Sequence, residues 1–133
     1  MNKRLTKWAE NEEKIIEEQA GFRARYSTID HIFTLYSLVQ KYLLSNKKFY
    51  VAFVDFRKAF DSVNRNKLWN VLRKSGINGN LYMALRGIYN SVLACVCAGN
   101  VSSDYFECPR GVKQGCLLSP HMFSLFINEL AIE

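Results

Sequence analysis

The chain has 133 residues, 49% of them hydrophobic and 14% aromatic, and a net charge of +6. That is room for about one domain with a real core, and it excludes low-complexity and repeat architectures. No apolar run approaches the roughly 18 residues that span a bilayer, and no apolar stretch follows the charged start from Met1 to Trp8, so neither a membrane segment nor a secretory leader is expected.

Residues 2–18 carry Leu5, Trp8, Ile15 and Ile16 loosely on one side and predict a helix, with Asn11 as an interruption. Gly21 marks a turn. Beyond it, Arg23 and Arg25 are interleaved with Phe22 and Tyr26. Such a set either holds phosphates and stacks on bases or forms a connector whose arginines face water, and composition leaves both open. Ser27 or Thr28 caps the next helix, with Asp30 in its first turn. Ile32, Phe33, Leu35, Tyr36, Leu38, Val39, Tyr42 and Leu43 give it a broad apolar face, so it is expected to pack in the core. His31 has no second ligand at helical spacing and reads as a surface or hydrogen-bonded histidine.

Ser45 to Lys48 ends that helix. Six apolar residues, Phe49 to Val54, then run unbroken into Asp55. Aromatic and β-branched residues dominate the run, which predicts a strand buried on both faces. Its terminal carboxylate would be held rigidly at the edge of the core. There it either closes an ordinary strand or ligates a hard cation such as Mg²⁺. Residues 47–74 hold Lys47, Lys48, Arg57, Lys58, Arg65, Lys67, Arg73 and Lys74 against only Asp55 and Asp61, which accounts for the whole net charge of +6. A polyanion suits that field; so does a plain solvated surface.

Asn64 caps a helix through Leu68, Trp69, Val71 and Leu72, with Gly76 as its stop. A short helix follows from about Leu81 to Tyr89. Val92 to Ala98 and Val101 to Cys108 then read as two strands around a Gly99-Asn100 turn. Cys95, Cys97, Cys108 and Cys116 form no Cys-x-x-Cys pair. Reduced, buried thiols are expected in preference to a zinc site. In the last segment Gly111 and Gly115 allow close backbone approach to a ligand or simply make a turn. Arg110 and Lys113 add charge there, and Gln114 adds an amide that both donates and accepts. Ser119-Pro120 reads as N-cap and first position of a mostly buried helix through Leu130.

Three segments together resemble the reverse transcriptases of non-LTR (LINE-type) retrotransposons. Gln19-Ala20-Gly21-Phe22-Arg23 through Ser27-Thr28 resembles the fingers motif of that family. Phe53-Val54-Asp55-Phe56-Arg57-Lys58-Ala59-Phe60-Asp61-Ser62-Val63 resembles motif A, and Arg110-Gly111-Val112-Lys113-Gln114-Gly115-Cys116-Leu117-Leu118-Ser119-Pro120 resembles motif B. The order and spacing match as well. One departure is Tyr26, where many relatives carry arginine before the Ser-Thr pair.

The resemblance implies an α+β fold, a reverse-transcriptase-like fingers/palm fragment with helices packed on a small antiparallel sheet. Residues 1–46 would be fingers-proximal helices and residues 47–133 a partial palm. It implies an RNA-directed DNA polymerase that adds dNTPs to a DNA primer on an RNA template by two-metal phosphoryl transfer with Mg²⁺. Asp55 would be the catalytic, metal-binding aspartate, helped by the backbone carbonyl of Phe56. Arg23, Phe60, Gln114 and Gly115 would bind the nucleotide, with Phe60 as the steric gate under the sugar. Arg25, Lys58, Arg110 and Lys113 would hold nucleic acid, and Asp61 would brace the turn that follows.

The motif C hairpin of the family, with its adjacent aspartates, is not in the sequence, and Glu129 and Glu133 stand on the wrong element to replace it. The isolated chain is therefore expected to be inactive, and residues 51–55 are expected to expose an edge that aggregates or recruits a partner strand. A non-catalytic nucleic-acid-binding remnant and a protein-interaction remnant are the alternatives. Reduced cysteines and a nucleic-acid partner imply an intracellular protein of nucleus or cytoplasm.

Overall fold

Leucines four apart on one helix and a Met–Leu pair three apart on another decide where the core forms. The computed structural model describes residues 1–128, and among them the helices are α1 (Asn2–Asn11), α2 (Thr28–Leu44), α3 (Ala59–Ser62), α4 (Arg65–Lys74), α5 (Gly79–Gly87) and α6 (Ser119–Ile127). α4 packs on both α5 and α6. Leu68 and Leu72 of α4, Leu85 of α5, and Met122 and Leu125 of α6 are buried together, and Leu5 and Ala9 of α1 join them. Each such leucine removed from water contributes about 1.5–3 kcal/mol, so this cluster holds the ends of the chain together.

Local chemistry sets the helix limits. The Ser27 hydroxyl accepts from the Ile29 N–H at 3.1 Å, and the Asp30 carboxylate accepts from the Ser27 N–H at 3.0 Å, a complete capping box for α2. Asn64 caps α4 by accepting the Lys67 N–H at 3.1 Å. α4 ends as the sequence predicts: the Gly76 N–H bonds the Arg73 carbonyl and the Ile77 N–H bonds the Leu72 carbonyl. α1 is shorter than residues 2–18. It stops at Asn11, and a turn with Glu13 at φ 49° redirects the chain so that Ile15 enters the core.

The hairpin is present but interrupted. β1 (Leu93–Ala94) pairs antiparallel with β4 (Phe106–Glu107), and β2 (Cys97–Ala98) pairs antiparallel with β3 (Val101–Ser102) around Gly99-Asn100. Between the two ladders, Ser103 bonds Val96 through both its amide and its hydroxyl. The α+β expectation holds in its coarse form, with helices beside two small antiparallel ladders, but among the described residues the main packing is helix on helix and most strand residues stay exposed.

Three further expectations are overturned. α2 buries no residue; Ile29, Ile32, Phe33, Tyr36 and Leu43 all face water. Its apolar residues are wide enough in angle to enter a core, but among the described residues α2 joins none of the main helix packing, and Leu35, Val39 and Tyr42 are only half-buried. Residues 47–56 are not a strand but an irregular, mostly exposed segment, with Phe53 85% exposed and Phe49 half-buried. A strand needs a neighbour for its backbone N–H and C=O groups, and none of the described residues provides one. The proposed palm-strand edge, with a partner strand to cover it, loses its premise; what remains is an apolar segment touching α2 through Tyr42 and Phe49, ring centroids 4.9 Å apart. The cysteines are free as expected, but Cys97 is exposed and the other three are half-buried. The predicted helix residues Glu129 and Leu130, and the placing of Glu133, lie outside the described residues. No helix among the described residues is long and apolar enough to cross a membrane.

Candidate functional site

Two loops distant in sequence are stitched together beside α6. α3 is a single turn entered through Lys58 in the left-handed region, φ 52°, and it carries Phe60. The Phe60 carbonyl accepts from the Val112 N–H at 2.9 Å, and the Val63 carbonyl accepts from the Gly111 N–H at 2.9 Å. Arg65 completes the seam by donating to the Gly111 carbonyl at 2.8 Å and the Arg110 carbonyl at 2.9 Å. Its guanidinium lies 5.2 Å from the centre of the Tyr89 ring. Gly111 sits at φ +83°, and a Cβ there would meet the Asp61 backbone at 2.8 Å. The close approach expected of this glycine is to the chain itself, not to a ligand.

The seam brings Phe60, Lys113, Gln114 and Gly115 to one cavity of about 570 Å³, which Phe22, Cys116, Leu117, Pro120, His121, Ser119 and Asn2 also line. Phe60 stacks on Phe123 with centroids 4.9 Å apart and planes 20° from parallel. Phe22 meets it edge-on at 6.1 Å and 90°. Gly115, at φ +79°, has nothing within 4 Å of an added Cβ, so the loop is open on that side.

Tyr89 is the buried post behind the loop. Its hydroxyl pairs with the Ser119 hydroxyl at 3.1 Å and accepts from the Lys113 N–H at 3.4 Å. The Ser119 hydroxyl therefore does not cap α6 as the sequence predicts; α6 has Leu118 at its N-cap and no side-chain cap. Tyr89→Phe should leave the fold intact and cost about 1–2 kcal/mol, because a buried hydroxyl loses its partner. Urea unfolding measures that loss, and faster amide exchange at Lys113 should accompany it.

His121 reaches the cavity from α6. The Thr6 hydroxyl pairs with His121 Nε2 at 2.9 Å and lies 3.2 Å from the Asn2 carbonyl. Burial holds the imidazole below its ordinary pKa, with Glu10 opposing that shift.

Arg23 is occupied elsewhere. Its Nε and one terminal nitrogen grip the Glu10 carboxylate at 3.1 and 2.8 Å, and its other terminal nitrogen donates to the Ile16 and Gln19 carbonyls at 2.9 and 3.2 Å. The side chain is 8% exposed, with the Tyr26 ring 4.0 Å from the guanidinium carbon. The nucleotide-binding expectation for Arg23 meets a side chain already committed to holding the 10–23 segment closed. Its hydrogen bond to Glu10 lowers the pKa of that carboxyl.

Asp55 and Phe56 lie in the exposed segment and do not line this cavity. Arg25 and Lys58 are exposed and outside it, whereas Arg110 borders a second hollow of about 370 Å³ with Arg65, Asp61 and Glu107. Among the described residues no three His, Cys, Asp or Glu side chains converge to hold a metal ion. Sequence reasoning missed Arg65, Tyr89, His121 and the role of Phe22. Only Phe22 carried a signal, its place between Gly21 and Arg23; Arg65 acts on a loop 46 residues away.

A family model described as reverse transcriptase (RNA-dependent DNA polymerase) matches residues 1–133. The chain is 32% identical over 115 residues to the Retrovirus-related Pol polyprotein from type-2 retrotransposable element R2DM of Drosophila melanogaster, an alignment that takes in 84% of this chain and 11% of that protein. It is 27% identical over 103 residues to the Retrovirus-related Pol polyprotein from type-1 retrotransposable element R2 of Popillia japonica, taking in 77% of this chain and 17% of that protein. The chain thus spans between 11% and 17% of the length of these curated relatives.

Proposed function

The chain belongs to the reverse transcriptase (RNA-dependent DNA polymerase) family, among the non-LTR retrotransposon enzymes, and from that premise we propose that the cavity bounded by Phe60 and Gln114 receives the incoming deoxynucleoside triphosphate. One observation carries this reading. Phe60, Lys113, Gln114 and Gly115 lie in two separate motifs, yet they line a single cavity. Phe60 would present its ring to the sugar, Gln114 its amide to the nucleotide, and Lys113 its charge to phosphate. Arg25, Lys58, Arg110 and Lys113 are exposed cations suited to RNA template and DNA primer. Residues 1–46 then correspond to fingers-proximal helices and residues 47–133 to part of the palm, working inside the cell in nucleus or cytoplasm.

The Asp55 carboxylate and the Phe56 carbonyl are the oxygens this chain would offer to Mg²⁺. Mg²⁺ in such enzymes activates the attacking hydroxyl and neutralises charge on the triphosphate. It demands about six oxygens in octahedral array, and the described residues bring no three ligand side chains together. They do not by themselves fit a two-ion site.

The reading has a two-part test. Equilibrium dialysis with labelled dGTP should show binding that Gln114→Ala weakens about tenfold, and wild-type protein that binds no dGTP would overturn the assignment. Primer extension on an RNA template with Mg²⁺ should stay at background for this chain alone; robust Asp55-dependent extension would refute the incomplete-site argument. A non-catalytic nucleic-acid binder is the second reading, favoured by the charge concentrated in residues 47–74. It requires RNA affinity to fall steeply with salt.

A further inference from the structure

Phe22 is an exposed phenyl ring held in an unfavourable backbone conformation. Phe22 is 59% exposed, and its φ of 62° lies in the left-handed region that bulky side chains seldom enter. Burial does not explain it, because most of the residue faces water. Strain of this kind persists only where surrounding contacts impose it. Here they are next door: Arg23 locks the following residue to Glu10, Ile16 and Gln19. The result is a Phe22 ring set perpendicular to the Phe60 ring, centroids 6.1 Å apart, at the lining of the cavity that Gln114 and Gly115 share. Phe60 has Phe123 stacked on it at 4.9 Å. Phe123 stacks on the Phe60 ring, and Phe22 lies perpendicular to it.

We propose that Phe22 is a positioning residue for nucleotide selectivity: held by the Arg23 anchor, its ring edge fixes the orientation of Phe60 and so sets how strictly the cavity refuses a ribose 2′-hydroxyl. This rests on the reading of the cavity as the deoxynucleotide site and of Phe60 as its sugar-facing wall. Phe22 itself touches Phe60, not the reacting atoms. An unrestrained Phe60 would rotate aside and admit the extra hydroxyl, whereas the deoxy sugar would bind much as before.

The test is the ratio of dGTP to GTP affinity, measured by equilibrium dialysis on the full chain. Wild type should prefer dGTP. Phe22→Ala should narrow the preference about threefold to tenfold, the size that an aromatic pair supports, with GTP gaining relative to dGTP. Phe22→Tyr keeps the ring and should keep the ratio. Phe22→Leu keeps bulk without the aromatic edge and should behave like Phe22→Ala. Because the ring is largely exposed, circular dichroism and thermal melting should match wild type for all three. If wild type shows no preference, or binds neither nucleotide, the sugar-gate reading fails and this inference with it. If wild type discriminates and Phe60→Ala abolishes discrimination while Phe22→Ala retains it, Phe22 alone is refuted. Equal loss of both nucleotides in Phe22→Ala would also overturn the proposal, since it would make Phe22 a mere wall.

Discussion

Gly111→Ala is expected to destabilise the protein by about 3–5 kcal/mol and to disorder the proposed dGTP site with it. A left-handed backbone at φ +83° costs an alanine about 1–2 kcal/mol before any contact is counted. The added Cβ would lie 2.8 Å from the Asp61 carbonyl oxygen and 2.9 Å from the Asp61 Cα, both backbone atoms that cannot swing away. The loops must separate instead. Separation lengthens the Gly111–Val63 and Val112–Phe60 hydrogen bonds and pulls the Gly111 carbonyl from Arg65. Each such bond is worth about 0.5–1.5 kcal/mol net. Domains of this size have about 5–15 kcal/mol in total, so the variant approaches its limit. Gly115→Ala is the control. Its φ is similar at +79°, but nothing lies within 4 Å, so it should cost only about 1–2 kcal/mol. Urea midpoints for the two variants separate close approach from backbone conformation. Equal losses would show that the seam between Asp61 and Gly111 is not what holds the site.

What the sequence disclosed depends on how far each cause reaches. Ser27 with Asp30 and Asn64 with Lys67 act within three residues, and both caps form where they are read. The Gly99-Asn100 turn is equally local, and it closes its hairpin. The three motifs carry the family because their order is itself a long pattern. α2 and residues 49–55 fail for a different reason. Apolar composition reports that a segment can be buried, not that a partner is present; here the two segments touch each other at Tyr42 and Phe49 and stay largely exposed. The site shows the same division. Phe60 and Gln114 are legible as motif residues, but the seam that joins them is made by main-chain atoms and by Arg65, a residue with no local signature. Arg23 is conspicuous in its motif, yet its role turns on Glu10, thirteen residues upstream on another element.

That occupation of Arg23 makes its removal the second large effect. Arg23→Ala strips two charged hydrogen bonds from Glu10 and leaves the Ile16 and Gln19 carbonyls without their donor. For a pair with one nearly buried partner, about 2–4 kcal/mol is expected. Arg23→Lys should restore less than half, since a single ammonium cannot span a carboxylate and two carbonyls at once. The pH dependence identifies the source. The hydrogen bond from Arg23 lowers the Glu10 pKa from its ordinary 4.5. The unfolded chain therefore takes up the proton first as pH falls. The contribution of the pair is complete above the ordinary carboxylate value and disappears as pH drops through the folded one. The stability gap between wild type and Arg23→Ala should accordingly be full at pH 7 and shrink markedly toward pH 3, and in a Glu10→Gln background it should be small at both. His121 adds a separate slope. Burial lowers its pKa from 6.5, so acidification below that value weakens the fold through the unfolded state. That slope is common to wild type and Arg23→Ala and largely cancels in their difference. A gap that stays constant from pH 7 to pH 3 would place the stabilisation in the carbonyl contacts and the Tyr26 ring instead of the ion pair. It would also remove the electrostatic half of the anchor that holds Phe22 against Phe60.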